Sequence, residues 1–237
     1  MNPTDDTPGL AVVLGGTGGI GAALADGLRQ QGHTVLAIGR RTAPALDYAD
    51  DSTVAAVAQF VSAELERTGL PLRRLVVATG ILHEGVVQPE RSWTHLDAAA
   101  LQRLFLVNTI GPALVMRHCL PLLPRKGRSV AAFISARVGS VGDNRLGGWY
   151  GYRASKAALN QLVHTAAIEL ARRCPQALCV ALHPGTVDTA LSQPFAKTGL
   201  EVRPPTVAAQ ELLQVMDTLP EGSNGGFFDH HGTTVPW

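Results

Sequence analysis

"LAVVLGGTGGIG", residues 10–21, decides how this chain of 237 residues folds. It opens on a short apolar run that ends in glycines, the pattern of a strand buried on both faces of a parallel sheet. Ile20, Leu24 and Leu28 then recur at helical spacing, and Gly32 stands where a helix-ending glycine belongs. Between strand and helix lie Gly15, Gly16, Gly18, Gly19 and Gly21. Glycines there let the backbone turn tightly and approach a pyrophosphate, which the free N–H groups of the helix N-terminus receive. Two spacings fit: Gly16-x-Gly18-x-x-Gly21 and Gly15-x-x-x-Gly19-x-Gly21. A glycine-rich turn with no ligand is the plain alternative. Placement at the first strand–helix junction favours the dinucleotide reading.

The alternation continues outward. Strands are expected at 33–39 ("HTVLAIG"), 74–80 ("RLVVATG"), 129–135 ("SVAAFIS") and 177–185 ("ALCVALHPG"), with an edge strand within 225–232 ("GGFFDHHG"). A helix carrying Val54, Val57, Val61 and Leu65 on one face follows a cap at Asp50, Asp51 or Ser52. Further helices are expected at about 97–122, at 154–173 before Pro175, and at 206–218. Strands and helices in turn imply a parallel, doubly wound α/β sheet with helices on both faces. With no repeat, linker or low-complexity tract, the chain reads as one Rossmann-type domain over 1–237, its first nine residues expected to be flexible.

Composition agrees with a globular enzyme or binding protein. Apolar residues make up 46% and charged residues 16%. A net charge of +1 supplies no field for nucleic acid. Cys119, Cys174 and Cys179 form no CxxC and read as reduced, buried thiols. No signal peptide and no uninterrupted apolar span is visible, so a cytoplasmic protein without membrane contact is expected. His230 and His231 have no third ligand at metal spacing and read as a surface pair, so no metal is expected.

The second strand ends in Gly39, Arg40 and Arg41. A carboxylate in that region would hold a ribose 2′-OH, whereas guanidinium forks suit a 2′-phosphate. NADP(H) is therefore expected over NAD(H), with solvated surface arginines as the alternative. Farther on, "GGWYGYRASKAALN" (147–160) sets Lys156 four residues after Tyr152 and six after Tyr150. On a helix, only the first spacing shares a face. An ammonium beside a phenol favours phenolate and lowers its pKa, so Tyr152 is the candidate acid. Tyr150 is expected in the loop entering the helix. Pro112, which has no N–H, deprives the carbonyl of Asn108 of its helical donor, so a kink is expected there.

The stretches "GGTGGIG", "VNTIGP", "SARVGSVGDNRLGGWYGYRASKAALN" and "HPGTVDT" stand in the order and spacing of the short-chain dehydrogenase/reductase family. The chain most resembles its sniffer-like carbonyl reductase and C-factor (cell–cell signalling) branch. The resemblance implies hydride transfer between NADP(H) and a small carbonyl or alcohol substrate. Tyr152 would be the acid/base residue, Lys156 would tune it and hold the nicotinamide ribose, and Asn108 would keep a relay water. Gly15, Thr17, Gly18, Gly19, Ile20 and Gly21 would cradle the pyrophosphate. Asp47 would contact the adenine with Tyr48 beside it, and Thr79 and Gly80 would lie along the cofactor. Pro184 and Gly185 lead to Val187 at the carboxamide and Thr189 at the pyrophosphate. The stretch 190–205 would be a substrate flap. Homodimers or homotetramers are common in the family.

Three departures stand out. Leu14 replaces the family's Thr before the first glycine, and Val77 and Ala78 replace paired asparagines. Aligned on Gly139, the family's carbonyl-orienting serine falls on Ala136. Ser135 is expected to take the role, with Ser140 second. These departures keep open a nucleotide-binding signalling or sensing protein of the same fold with little turnover.

Overall fold

The computed structural model describes residues 7–85, 87–190 and 202–237. Strand β1 (Leu10–Leu14) leads through the glycine loop to α1 (Gly19–Gln30), then β2 (Thr34–Ile38), α2 (Asp51–Thr68) and β3 (Leu72–Val77). Next come α3 (Ala98–Phe105), a π-helical turn (Leu106–Ile110), α4 (Gly111–Cys119) and β4 (Ser129–Ile134). The chain closes with α5 (Tyr150–Arg173), β5 (Ala177–His183), the short β6 (Thr186–Val187) and β7 (Val202–Arg203), α6 (Pro205–Thr218) and β8 (Phe227–Asp229).

Six strands form one sheet in the order β2-β1-β3-β4-β5-β8, every pair parallel. Alternation along β1 explains both faces. Leu10, Val12 and Leu14 join a core with α2, α4 and α5, whereas Ala11 and Val13 point to a core with α1 and α6. Each fully buried Leu or Val contributes about 1.5–3 kcal/mol. The expected α/β sheet and its edge strand at 225–232 are therefore present.

Local signals place the helix ends. Asp50 caps α2 by accepting from Ser52 N, and Gly69 ends it in the left-handed region at φ 68°. Helix α5 begins at Tyr150, four residues earlier than expected, so Tyr150 is helical and not part of the preceding loop. The expected helix at 97–122 is interrupted by the π-helical turn. Ala98–Leu122 is long and apolar enough to cross a membrane by length and composition alone. Here it packs beside α2 and α5, burying Leu104, Val115, Met116 and Cys119. Cys119, Cys174 and Cys179 are free and buried. Most of the expected flap, 191–201, and the first six residues lie outside the described residues.

Candidate active site

The strand order reverses between β1 and β3, where a doubly wound sheet opens a crevice at its carboxyl ends. Gly15 ends β1 at φ +82°, and a Cβ there would lie 2.9 Å from Ala78 C and Thr79 N. A side chain on Gly21 would collide with the Gly15 carbonyl, and one on Gly19 would lie 2.8 Å from Thr189 Cγ2. A Cβ on Gly16 would likewise lie 2.7 Å from Val13 O, whereas one on Gly18 would meet only Gly15 O at 3.5 Å, so the packing requires Gly15, Gly16, Gly19 and Gly21 but not Gly18. Gly18 is the N-cap of helix α1, which has no side-chain cap and no acidic residue in its first turn. Thr17 and Gly18 beside it are exposed, and Ile20 is half-buried. The loop meets the segment Pro184–Thr189 through the Gly19–Thr189 contact.

At the end of β2, Arg40 and Arg41 are exposed. Arg40 Nη1 lies 3.5 Å from Glu84 Oε1, and Glu84 also holds Arg103 at 2.7 Å. Gly39 is closed over by the Thr17 side chain. Asp47 is exposed, and its Oδ1 accepts from Ala49 N at 2.9 Å. Tyr48 differs from its expected place beside Asp47. Its ring packs against Gly111 in the core, and its hydroxyl meets Thr79 Oγ1 at 2.9 Å. The Tyr48 hydroxyl thus ties the core to Thr79.

The deepest part of the crevice is built around Gly80. A Cβ there would lie 3.4 Å from both Asn108 Oδ1 and Lys156 Nζ. Asn108 is fully buried in the π-helical turn. Its Oδ1 accepts from Ile81 N at 2.8 Å, and its Nδ2 donates to Ile81 O at 2.8 Å and Ser155 Oγ at 3.1 Å. The turn is wound so that Gly111 N donates to Leu106 O, five residues back. Pro112 cannot donate to the Asn108 carbonyl, and a wider turn is one way a helix absorbs that loss. The kink expected from Pro112 is this turn.

Lys156 and Tyr152 are both buried on α5. The Lys156 ammonium donates to Ile134 O at 2.9 Å, and burial pulls its pKa down to about 8. It stands 6.0 Å from the centre of the Tyr152 ring. The phenol packs with Leu82, Leu104 and Ala136 and stands edge-on to Trp149 at 6.2 Å. Burial pushes its pKa up, opposite to the expected lowering. In this dry setting, desolvation outweighs an ammonium aimed at a backbone carbonyl.

The serines also depart from expectation. Ser135 Oγ donates to Asn160 Oδ1 at 2.6 Å, so its proton is already given away. Ala136, at the family's serine position, packs with Tyr152. Ser140 Oγ accepts from Asp143 N at 3.0 Å, which leaves its own proton to donate. It follows Gly139, where a Cβ would lie 2.7 Å from Lys156 Cβ. The sequence reading missed Ser155 and Thr109. Ser155 Oγ donates to Tyr152 O at 2.8 Å, and Thr109 Oγ1 to Ser155 O at 2.8 Å, tying the π-helical turn to α5. His230 is not a free surface residue: both its ring nitrogens are buried, and Gly185 packs beside it.

Comparison with known proteins bears on this arrangement. The family described as short chain dehydrogenase matches residues 9–199. The C-signal protein of Myxococcus xanthus is 37% identical over 142 residues, 60% of this chain and 81% of that one. The 1-hydroxy-2-glutathionyl-2-methyl-3-butene dehydrogenase of Rhodococcus sp. strain AD45 is 30% identical over 237 residues, 95% of this chain and 98% of that one. Among solved structures, the NADPH-bound carbonyl reductase from chicken fatty liver superposes with a TM-score of 0.80. It covers 97% of this chain and 99% of that one at 23% identity, a likeness of fold alone.

Proposed function

We infer that this chain, which belongs to the short chain dehydrogenase family, is an NADP(H)-dependent reductase or dehydrogenase of small carbonyl or alcohol compounds. The observation that carries the reading is the convergence of Gly80, Asn108 and Lys156, with the Tyr152 ring 6.0 Å from the ammonium, in a chain whose first helix has no side-chain cap at its N-terminus.

The residues present fit a dinucleotide. Side chains at Gly15 and Gly21 would collide with neighbouring backbone, and α1 offers uncapped N–H groups to a pyrophosphate. Gly15, Thr17, Gly18, Gly19, Ile20 and Gly21 would hold the diphosphate together with Thr189. Arg40 and Arg41 would hold a 2′-phosphate, and Asp47 the adenine side. Thr79, Gly80, Pro184, Gly185 and Val187 would line the remainder, and Lys156 would grip the ribose. When bound, the cofactor supplies or accepts the hydride. The NADPH carried by the chicken carbonyl reductase agrees with the phosphate-binding reading of Arg40.

The protein's own part is acid/base chemistry and placement. In reduction, Tyr152 donates its phenolic proton to the substrate oxygen as the carbonyl carbon becomes tetrahedral; in oxidation, it takes that proton back. A phenol whose pKa is raised stays protonated, ready to donate. Lys156, still largely charged at neutral pH, steadies the phenolate left behind. Asn108 holds the π-helical turn against Ile81 and α5 and links the pair toward solvent. Ser140 would give the second hydrogen bond to the substrate oxygen, ahead of Ser135.

A panel of aldehydes and ketones, followed by NADPH absorbance beside NADH, tests this. Turnover with NADPH and little with NADH is expected. Tight NADPH binding without turnover of any carbonyl compound would favour a nucleotide-binding sensor instead.

A further inference from the structure

Glu90 sits in the segment between β3 and α3, outside every motif discussed so far. It is 4% exposed, yet among the described residues no basic side chain pairs with it. Its carboxylate accepts from Gly151 N through both oxygens, each at 3.2 Å. Its backbone carbonyl accepts from Trp149 N at 2.6 Å. A buried carboxylate is costly unless something compensates it, and here the positive end of α5 does so.

Helix α5 needs that partner. Its N-cap, Trp149, makes no side-chain capping bond to the helix end, and no acidic residue lies in its first turn. Trp149 is also the one non-glycine residue at positive φ among the described residues, at 53°. A bulky residue in that region persists only where its surroundings hold it. Gly151 has no room for a side chain: a Cβ would lie 2.6 Å from Leu104 Cδ1 and 2.8 Å from Glu90 Oε1. The start of α5 is therefore set by a side chain 61 residues away. Tyr152 is the next residue after Gly151.

We propose that Glu90 is a positioning residue for Tyr152: its carboxylate seats the first turn of α5 and so sets the depth and rotation of the phenol against Asn108 and Lys156. The proposal rests on the reductase reading of Tyr152. What matters is an acceptor at the Gly151 N–H, which a glutamine carbonyl also supplies.

The test compares Glu90→Ala, Glu90→Gln and Glu90→Asp in the full chain. Turnover is measured per NADPH-bound protein with a carbonyl compound that the panel identifies, and NADPH affinity and Gly151 amide exchange are measured alongside. Glu90→Ala should lower kcat about 10- to 100-fold, the scale of an ångström misplacement. NADPH affinity should stay within about threefold, because the phosphate cradle on α1 is untouched. Glu90→Gln should return kcat to within about threefold of the unmodified protein. A brace that served stability alone would lower the melting temperature and leave kcat per folded molecule unchanged, and that result overturns the proposal. If Glu90→Ala does not fold, the other two decide. Glu90→Asp, whose carboxylate is drawn back by a methylene, should be the slower; equal rates overturn the proposal. If the unmodified protein turns over no carbonyl compound, the reductase reading fails by itself. Gly151 exchange then still reports on Glu90: protection lost with alanine and kept with glutamine supports its seat, and unchanged protection removes it.

Discussion

Asn108→Ala removes the side chain that joins three parts of the crevice. Asn108 is fully buried and makes paired hydrogen bonds with both Ile81 N and Ile81 O, plus one with Ser155 Oγ. Alanine orphans the two backbone groups of Ile81. Ser155 keeps its own bond to Tyr152 O and loses only an incoming one. A buried polar group left unpaired costs about 1–3 kcal/mol. Ile81 is half-buried and admits some water, so the low end of the range applies, about 1–1.5 kcal/mol for each group and about 2–3 kcal/mol for the two. In a domain of this size each kcal/mol shifts Tm by about 2–4 °C, giving a fall of about 4–12 °C. Turnover should fall at least about tenfold, because the side chain packed beside Gly80 near Lys156 is lost. Thermal melts and steady-state NADPH consumption read both quantities. Asn108→Asp, of equal size but unable to donate to Ile81 O, should also be impaired. A Tm within about 1 °C and unchanged turnover for Asn108→Ala would refute the view that this side chain organises the site.

The remaining expectations concern single groups. Arg40→Ala should weaken NADPH about tenfold and leave NADH unchanged, the low end for a hydrogen bond to a charged group because Arg40 is exposed. Equal loss of both cofactors in titrations would remove the 2′-phosphate role. Ser140→Ala should lower turnover with NADPH affinity intact, whereas Ser135→Ala should chiefly disturb the buried Asn160 contact and lower Tm; rates of the two variants that reverse this order would restore Ser135. Lys156 has a pKa lowered by burial to about 8, so its charge is present below that pH and is lost as pH rises through it. NADPH affinity should fall across that window, and Lys156→Met should show no such step. The same depression means that the fold bears the full cost of the buried ammonium below about pH 8 and is relieved as pH rises toward the usual lysine range.

Much of the site could be read from the sequence because its parts are local. The glycine loop announces itself through positions such as Gly15, where positive φ and a neighbouring strand exclude a side chain. Tyr152 and Lys156 declare their shared face by spacing. Pro112 betrays the disturbed turn at Asn108 four residues away. What escaped has no local period. Glu90 acts across 61 residues and Ser135 across 25, so neither leaves a pattern in its own neighbourhood. The choice between serines was not legible because Ala136 and Ser135 point to different partners on α5, an orientation that only the packed strand reveals. Tyr48 looked like a neighbour of Asp47 at the adenine, but the gap above Gly111 takes its ring into the core. The direction of the Tyr152 shift was misread for a related reason. Spacing shows that an ammonium is near, while burial and the pull of Ile134 O decide which effect wins.

The central claim is that Tyr152, and not Tyr150, carries the proton. The direct measurement is turnover per bound NADPH in Tyr152→Phe and Tyr150→Phe, with a carbonyl compound that the unmodified protein reduces. Both changes keep the ring and remove one hydroxyl. Tyr152→Phe should lose about 10²–10⁴-fold in rate, the usual worth of a positioned acid, while NADPH binding and Tm stay nearly unchanged. Tyr150→Phe should alter KM at most. Near-normal turnover in Tyr152→Phe, or its loss in Tyr150→Phe alone, would contradict the account.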